Sequence, residues 1–332
     1  MIEVDALSRL TIVEEEPASS NASLALDVRR GLCASPKFLP ARHLYDAVGS
    51  ALYEAIMLLP EYYLTRLECE ILDRYAPAML RHLGDVEIVE LGPGDGRKSR
   101  IILEAALGRS AVVRYHPIDI SPSALRALSE RLVAEYDRLV VTAHCGDYVR
   151  ALRGRLLHGV GRVLVLFLGS SIGNYEPGDA AALLRTIASA LAPGDALLLG
   201  TDLKKSRDVL ELAYDDPGGV TAAFNRNILV RINRELGGTF DLRAFRFLAA
   251  YDEHRGCVDS FQVALHAQDV RIAALDLEIA LSEGERIHTE SSYKYDREAI
   301  DAMAGESGFR VAQSWSDPAA RYAVSLLIRR GR

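Results

Sequence analysis

Between residues 85 and 202 the apolar residues switch repeatedly between a period of two and a helical period, and this alternation constrains the chain more than any other feature. Residues 86–91, 111–120, 139–143, 162–168 and 196–200 read as short strands. Residues 97–107, 122–136 and 177–191 read as helices between them. Ser121-Pro122 supplies an N-cap and first-turn pair, and Pro193-Gly194 closes the third helix. The run 162–168 is apolar enough to be buried on both faces. Strands alternating with helices pair in parallel, because each helix must carry the chain back across a face of the sheet. The expected fold class is α/β, a mostly parallel sheet covered on both sides.

Outside this block the pattern differs. Residues 1–20 read as a flexible lead-in, with Glu14-Glu15-Glu16-Pro17 ahead of a Ser/Ala stretch. Residues 21–80 are mostly helical, interrupted at Pro36, Pro40 and Pro60, with helical spacing over 45–59 and 65–80. After Asp202 a helical stretch, 209–236, leads into strand-like runs at 245–251, 256–267, 270–277 and 287–295, which suggest an antiparallel meander. A helix over 296–306 and strands over 309–315 and 322–328 follow. The expected organisation is a core over 81–202 completed by 292–332. A second α+β domain would combine the N-terminal helices (21–80) with an insertion (203–291).

Charge and cysteine usage narrow the function. The chain of 332 residues carries a formal net charge of −7, so a basic face for a phosphate backbone is not expected, and nucleic acid is set aside as a partner. The apolar runs fall short of the roughly 18–20 residues that span a bilayer, which sets a membrane aside. No charged-then-apolar leader opens the sequence, so a cytoplasmic location is expected. Cys33, Cys69, Cys145 and Cys257 are scattered without C-x-x-C spacing, and the eight histidines form no H-x-H or H-E-x-x-H pattern. Neither a disulfide scaffold nor a metal site is expected. The expected partner is a small molecule, bound by a monomer or weak dimer.

The strongest chemical signal is Glu90-Leu91-Gly92-Pro93-Gly94-Asp95-Gly96, where the first strand of the block gives way to a helix. Glycines there let backbone approach a ligand at the carboxyl edge of the sheet. A dinucleotide fingerprint needs G-x-G-x-x-G, and Arg97 stands in the third glycine's place, which weakens a nicotinamide dehydrogenase reading. The E-x-G-x-G-x-G form instead resembles motif I of class I S-adenosylmethionine (SAM) methyltransferases, whose fold is Rossmann-like. Asp119 closes the next strand, where a carboxylate can accept both ribose hydroxyls. Asp147 follows the third strand and suits an adenine amine, with Tyr148 beside the ring. Taken alone, the glycines could be a loop cluster and the aspartates surface residues. Three signals at three successive strand ends favour SAM.

Further segments carry a family resemblance. They include Tyr45-Asp46, Gly49-Ser50, Tyr53, Leu59-Pro60-Glu61-Tyr62-Tyr63, Gly169-Ser170-Ser171-Ile172-Gly173-Asn174, Ala213-Tyr214-Asp215-Asp216 and Ile287-His288-Thr289-Glu290-Ser291-Ser292-Tyr293-Lys294-Tyr295. Together they resemble the L-histidine Nα-methyltransferases of ergothioneine biosynthesis, over nearly the whole chain. The resemblance implies methyl transfer from SAM to the α-amine, in three rounds that end in hercynine and release S-adenosylhomocysteine. It implies that Gly92, Gly94, Lys98, Asp119, Asp147 and Tyr148 hold SAM. Asn174 and Tyr214 would take the substrate carboxylate, and Tyr62, Glu290 and Ser292 the imidazole. Asn174, Gly169 and Tyr45 would form the catalytic set, with Gly169 acting through its carbonyl. Tyr45, Tyr53 and Tyr62 would face the growing ammonium, each ring worth about 0.5–2 kcal/mol.

Each position also has a plainer reading. The tyrosines can be half-buried packing groups, Asn174 a turn residue, Glu290 a solvated strand position, and Tyr214 a helix-end packing group. His288, Trp315 and Cys145 are read as packing residues, with His288 facing away from Glu290. Two positions depart from the family pattern: Ser260 stands where methionine is common, and Tyr53 where phenylalanine is frequent. Both would line the amino-acid pocket. Methylation of tryptophan, tyrosine or a related amino acid is therefore the alternative activity, and a non-catalytic SAM-binding protein is a further one.

Overall fold

The computed structural model describes residues 9–14, 20–153 and 161–331. The chain begins with β1 (Leu10–Glu14), α1 (Ser20–Leu32), β2 (Lys37–Phe38), α2 (Ala47–Ile56) and α3 (Tyr63–Leu80). It then alternates through β3 (Val86–Leu91), α4 (Arg97–Leu107), β4 (Val113–Asp119), α5 (Pro122–Glu135) and β5 (Leu139–Cys145). The alternation continues with α6 (Tyr148–Arg153), β6 (Arg162–Phe167), α7 (Pro177–Ala190) and β7 (Ala196–Asp202). Next come α8 (Arg207–Tyr214), α9 (Val220–Leu236), β8 (Phe245–Asp252), β9 (Cys257–Ala264), β10 (Gln268–Ile272), β11 (Leu277–Leu281) and β12 (Arg286–Tyr293). The last elements are α10 (Arg297–Glu306), β13 (Phe309–Ser316) and β14 (Tyr322–Arg329).

These elements fall into two units. The first takes in β1, Leu64–Lys204 and Tyr295–Arg332. Its sheet has the order β1-β5-β4-β3-β6-β7-β14-β13. The strands from β1 to β7 run parallel, whereas β14 lies antiparallel to β7 and β13 antiparallel to β14. Every residue of β3 and β7 is buried, as near-continuous apolar runs require when helices cover both faces. The chain starts the parallel block at its centre, moves outward through β4 and β5, and returns to β6. That reversal places a switch point at the carboxyl ends of β3 and its neighbours, where open α/β sheets bind ligands.

Three findings in this unit differ from the sequence reading. Within the expected lead-in, Leu10–Glu14 adds a parallel edge strand, with Leu10 opposite Val141; most of the rest of that segment lies outside the described residues. Arg9 holds its start, donating to the carbonyls of Val133 at 3.0 Å and Tyr136 at 2.7 Å, both near the end of α5. The helix α3 belongs with this sheet from residue 64 onward, rather than with the N-terminal helices. A short helix, α6, follows Asp147, whose Oδ1 accepts from the amide of Arg150 at 3.1 Å.

The second unit combines Pro17–Tyr63 with Lys205–Lys294. Its sheet has the order β2-β12-β9-β8, with β10 and β11 forming a separate hairpin. Only β2 runs parallel to its neighbour; β12, β9 and β8 pair antiparallel. The expected helix over 209–236 is two helices, because Asp215–Gly219 breaks it. Asp216 caps the second by accepting from the amides of Val220 at 3.0 Å and Thr221 at 2.7 Å. The expected strand over 270–277 ends at Ile272, turns through a left-handed Asp276 and resumes as β11. Asp46 caps α2 and also accepts from Asn227 of α9 at 2.7 Å, joining the two helices. Among the described residues, no helix is long and apolar enough to cross a membrane.

Candidate active site

In the first unit the glycine turn after β3 is built for backbone approach. Gly92, Gly94 and Gly96 are all left-handed, with φ of 69°, 58° and 77°. Nothing stands within 4 Å of the place a Cβ would occupy on Gly92 or Gly94. Gly96 needs its hydrogen for packing, since a Cβ there would come 2.2 Å from Cδ1 of Leu128. Behind the turn, Glu90 is buried and accepts from the Tyr115 hydroxyl at 2.5 Å. Burial pushes the Glu90 carboxyl up, and hydrogen bonding opposes it.

The neighbouring strand ends carry the other expected donor-site residues. Asp119 closes β4, and burial raises its carboxyl against the amides of Ser121 and Ile120. The Ser121 amide donates to Oδ1 at 2.9 Å. A carboxylate held by backbone alone at a strand end can take hydroxyl donors such as a ribose diol. Asp147 is exposed just after β5. Tyr148 packs 6.1 Å from Phe167, its hydroxyl meets that of Tyr175, and burial followed by Tyr175 pushes its pKa above the usual phenol range. The open glycine turn, Asp119, Asp147 and Tyr148 thus fit a nucleoside-bearing group.

The loop after β6 is fixed by a residue that the sequence reading missed. Gly169 and Ser170 are both left-handed, with φ of 78° and 57°. The Gly169 amide donates to both oxygens of Glu68, at 3.0 and 2.8 Å. Glu68, on α3, is wholly buried. It also accepts from the Tyr322 hydroxyl at 2.8 Å and pairs with Lys98 at 3.1 Å. A Cβ on Gly200 would come 2.0 Å from the same carboxylate, so β7 must carry glycine there. Asn174 ends the short turn Ser171–Asn174, and it is exposed. Its side-chain amide makes no hydrogen bond among the described residues.

The second unit gathers a different set. Tyr45, Tyr53, Tyr62, Tyr214 and Phe224 form a connected aromatic cluster. Ring centroids are 5.6 Å apart for Tyr45–Tyr53, 5.3 Å for Tyr45–Phe224, 6.3 Å for Tyr53–Tyr62 and 6.2 Å for Tyr62–Tyr214. Burial, then the hydroxyls of Tyr53 and Tyr214, drives Tyr62 well above the usual phenol range, so it remains protonated. Beside the cluster, Tyr214 lies 2.8 Å from Ser292 Oγ, and Lys294 donates to both.

On β12, Glu290 sits directly opposite Ser260 of β9, so the two share a face of the sheet. Burial raises the Glu290 carboxyl to about 7, with Lys294 and then His288 acting against the shift. On the same face of β9, Gln262 is fully buried, and its amide atoms have no hydrogen-bond partner among the described residues. Such an orphaned amide marks a place for a ligand or an ordered water.

His288 does face away from Glu290, as expected, and the cause is a bulge. Residues two apart on a regular strand share a face, but the register slips between His288 and Glu290. His288 therefore lies on the side of Asp259, its Nε2 3.2 Å from Asp259 Oδ1 and 3.0 Å from Ser291 Oγ, and packs edge-on to Phe261.

The structure thus brings Tyr45, Tyr53, Tyr62, Tyr214, Ser260, Glu290 and Ser292 into one unit. Gly92, Gly94, Lys98, Asp119, Asp147, Tyr148, Gly169 and Asn174 belong to the other. Glu68, Gln262 and Lys294 escaped the sequence reading. The only signal for Lys294 was its place in the Ser-Ser-Tyr-Lys-Tyr run, and Glu68 lay on an apparently ordinary amphipathic helix.

Comparison with known proteins adds a third line. Residues 24–329 match a family described as histidine-specific, SAM-dependent methyltransferases. Over 311 residues the chain is 44% identical to histidine N-alpha-methyltransferase of Mycolicibacterium smegmatis, covering 94% of this chain and 96% of that protein. It is 41% identical over 308 residues to the protein of the same name from Mycobacterium tuberculosis, covering 93% and 95%. It is 28% identical over 299 residues to ergothioneine biosynthesis protein 1 of Schizosaccharomyces pombe, covering 87% of this chain and 38% of that longer protein.

Proposed function

We propose that this chain, which belongs to the family of histidine-specific, SAM-dependent methyltransferases, methylates the α-amine of L-histidine three times to give hercynine for ergothioneine biosynthesis. The observation that carries the substrate assignment is Glu290, a carboxyl raised to about 7 by burial, set opposite Ser260 and two residues from Ser292. A group poised there can accept an imidazole N–H as carboxylate or donate to a bare ring nitrogen as acid. An apolar ring would leave it unpaired, and a buried polar group without a partner costs about 1–3 kcal/mol.

SAM, when bound, supplies a methyl group on a sulfonium for in-line displacement. The residues assigned to hold it are Gly92, Gly94, Lys98, Asp119, Asp147 and Tyr148. The substrate carboxylate is assigned to Asn174 and Tyr214, and the imidazole to Tyr62, Glu290 and Ser292. Tyr53 and Ser260 set the size and polarity of the amino-acid pocket. Tyr45, Tyr53 and Tyr62 offer neutral ring faces to a nitrogen that gains permanent charge as methyl groups accumulate. The Gly169 carbonyl accepts from the amine, and most of the acceleration comes from positioning nucleophile against methyl. The same reading makes the protein a cytoplasmic enzyme working as a monomer or weak dimer, which sedimentation checks.

Incubation of the purified protein with SAM and a panel of amino acids, read by mass spectrometry, tests the proposal. Mono-, di- and trimethylated histidine are expected. Product from tryptophan or tyrosine with none from histidine overturns the substrate, and SAM binding without any S-adenosylhomocysteine formed overturns the enzyme.

A further inference from the structure

Asn174, assigned above to the substrate carboxylate, is exposed, so its place depends on what holds the backbone on either side of it. Upstream the segment is fixed. Glu68 accepts from the Gly169 amide, Ser170 Oγ accepts from the Asp202 amide at 2.9 Å, and the Ile172 carbonyl accepts from the Tyr295 hydroxyl at 3.3 Å. Downstream the next residue is Tyr175. Its amide donates to the Ile172 carbonyl at 3.3 Å, which closes the turn, and its half-buried side chain reaches Tyr148, hydroxyl to hydroxyl.

Tyr148 is the first residue of α6, directly after Asp147. A helix of 6 residues is too short to hold itself together, so tertiary contacts decide where its first side chain points. One stretch of chain meets both ends of that side chain. The ring packs against Phe167, the last residue of β6, and the hydroxyl meets Tyr175. Gly169 and Asn174 lie between those two contacts. Burial holds both phenols above their ordinary range, so both keep their protons and one can donate to the other. A hydrogen bond between hydroxyls is directional, so turning the Tyr148 ring draws on Tyr175 and on the backbone beside Asn174.

We propose that Tyr175 is a positioning residue that couples donor binding to amino-acid binding. A donor nucleoside seated against Tyr148 fixes that ring, and the hydroxyl contact passes the restraint to the Asn174 turn. The proposal rests on the functional reading above, in which Tyr148 flanks the donor and Asn174 takes the carboxylate. Tyr175 touches neither ligand. It has the Asn174 carboxamide ordered before the amino acid arrives, which lowers the entropy that binding must otherwise offset. By linkage, the amino acid must favour the donor by the same factor.

Titration calorimetry of L-histidine, with and without saturating S-adenosylhomocysteine, measures this coupling. In the wild-type protein S-adenosylhomocysteine is expected to tighten histidine. In Tyr175→Phe that gain should shrink roughly 3- to 10-fold, the size of one lost hydrogen bond, while histidine alone binds about as in the wild type. The reverse titration, S-adenosylhomocysteine with and without histidine, must show the same shrinkage. Tyr148→Phe should reproduce it, and the double variant should lose no more than either single one. A tyrosine that only supported the fold would weaken both ligands and leave the gain as it was. An unchanged gain in Tyr175→Phe, or no gain in the wild type, overturns the proposal. Should Tyr175→Phe not fold, Tyr148→Phe carries the measurement and is read by the same criterion. Turnover is assayed separately. If the wild type methylates another amino acid in place of histidine, the functional reading fails in its substrate, and the coupling is measured with that amino acid.

Discussion

A carboxyl that titrates near 7 inside a folded unit weakens the native state whenever it ionises, and Glu290 shows the consequence at the residue scale. Its unfolded-state value is 4.5, so between that pH and about 7 the unfolded chain has lost a proton that the folded chain keeps. Stability therefore falls across that window as pH rises, and levels off above it. Glu290→Gln removes the ionisation. It is expected to raise stability by on the order of 3 kcal/mol above pH 7, with the gain vanishing toward pH 4.5; denaturant titrations across pH check this. The same variant should weaken histidine recognition by roughly 1–3 kcal/mol, read as KM. Glu290 and Ser292 were singled out in the sequence because the family resemblance implies an imidazole-binding role for them. Lys294 was not, since a lysine near a strand end is ordinarily a solvated residue. Whether it points inward depends on where the strand stops, which propensity does not fix.

At the scale of elements, β12 illustrates why faces are harder to read than strands. The strand itself was foreseeable from its β-branched and polar alternation, yet alternation alone would put His288 and Glu290 together. The bulge that separates them is a tertiary feature, set by pairing with β9. Helices α4, α5 and α7 of the α/β block were legible nearly to the residue because proline and glycine punctuate them, whereas the short α6 was not. The break between α8 and α9 was hidden because apolar spacing continues on both sides of Asp215–Gly219.

Two substitutions test how elements are fixed to the donor site. Gly96→Ala meets Leu128 at 2.2 Å and forces a side chain into a left-handed conformation, so a loss of about 1–3 kcal/mol and weaker SAM binding are expected by urea unfolding and calorimetry. Glu68→Ala removes the acceptor for Gly169, Tyr322 and Lys98 together. Breaking such a buried ion pair costs about 3–5 kcal/mol, and calorimetric unfolding should register a loss of that order.

The whole molecule is two interleaved units, each assembled from segments distant in sequence. Their existence was legible from the change of rhythm after Asp202, but their borders were not. Periodicity reports which face of a helix is apolar, not which sheet will cover it, and α3 was assigned to the wrong neighbour for that reason. A ligand that binds only the folded state stabilises by about 2.7 kcal/mol at 100 times its dissociation constant. S-adenosylhomocysteine at that excess should raise the melting temperature of the wild-type protein. In Asp119→Ala the same concentration should raise it much less, whichever amino acid is present.

Glu68 and Tyr322 are 254 residues apart, yet they share a hydrogen bond in the donor unit. On a ribosome making about 5–20 residues each second, α3 is exposed for on the order of tens of seconds before the strand that supplies this hydroxyl is synthesised. β14 also fills the place between β7 and β13, so the sheet stays open along one side until then. Stalled nascent chains ending before residue 322 are accordingly expected to bind no S-adenosylhomocysteine, and competence for the cofactor is acquired only as translation finishes.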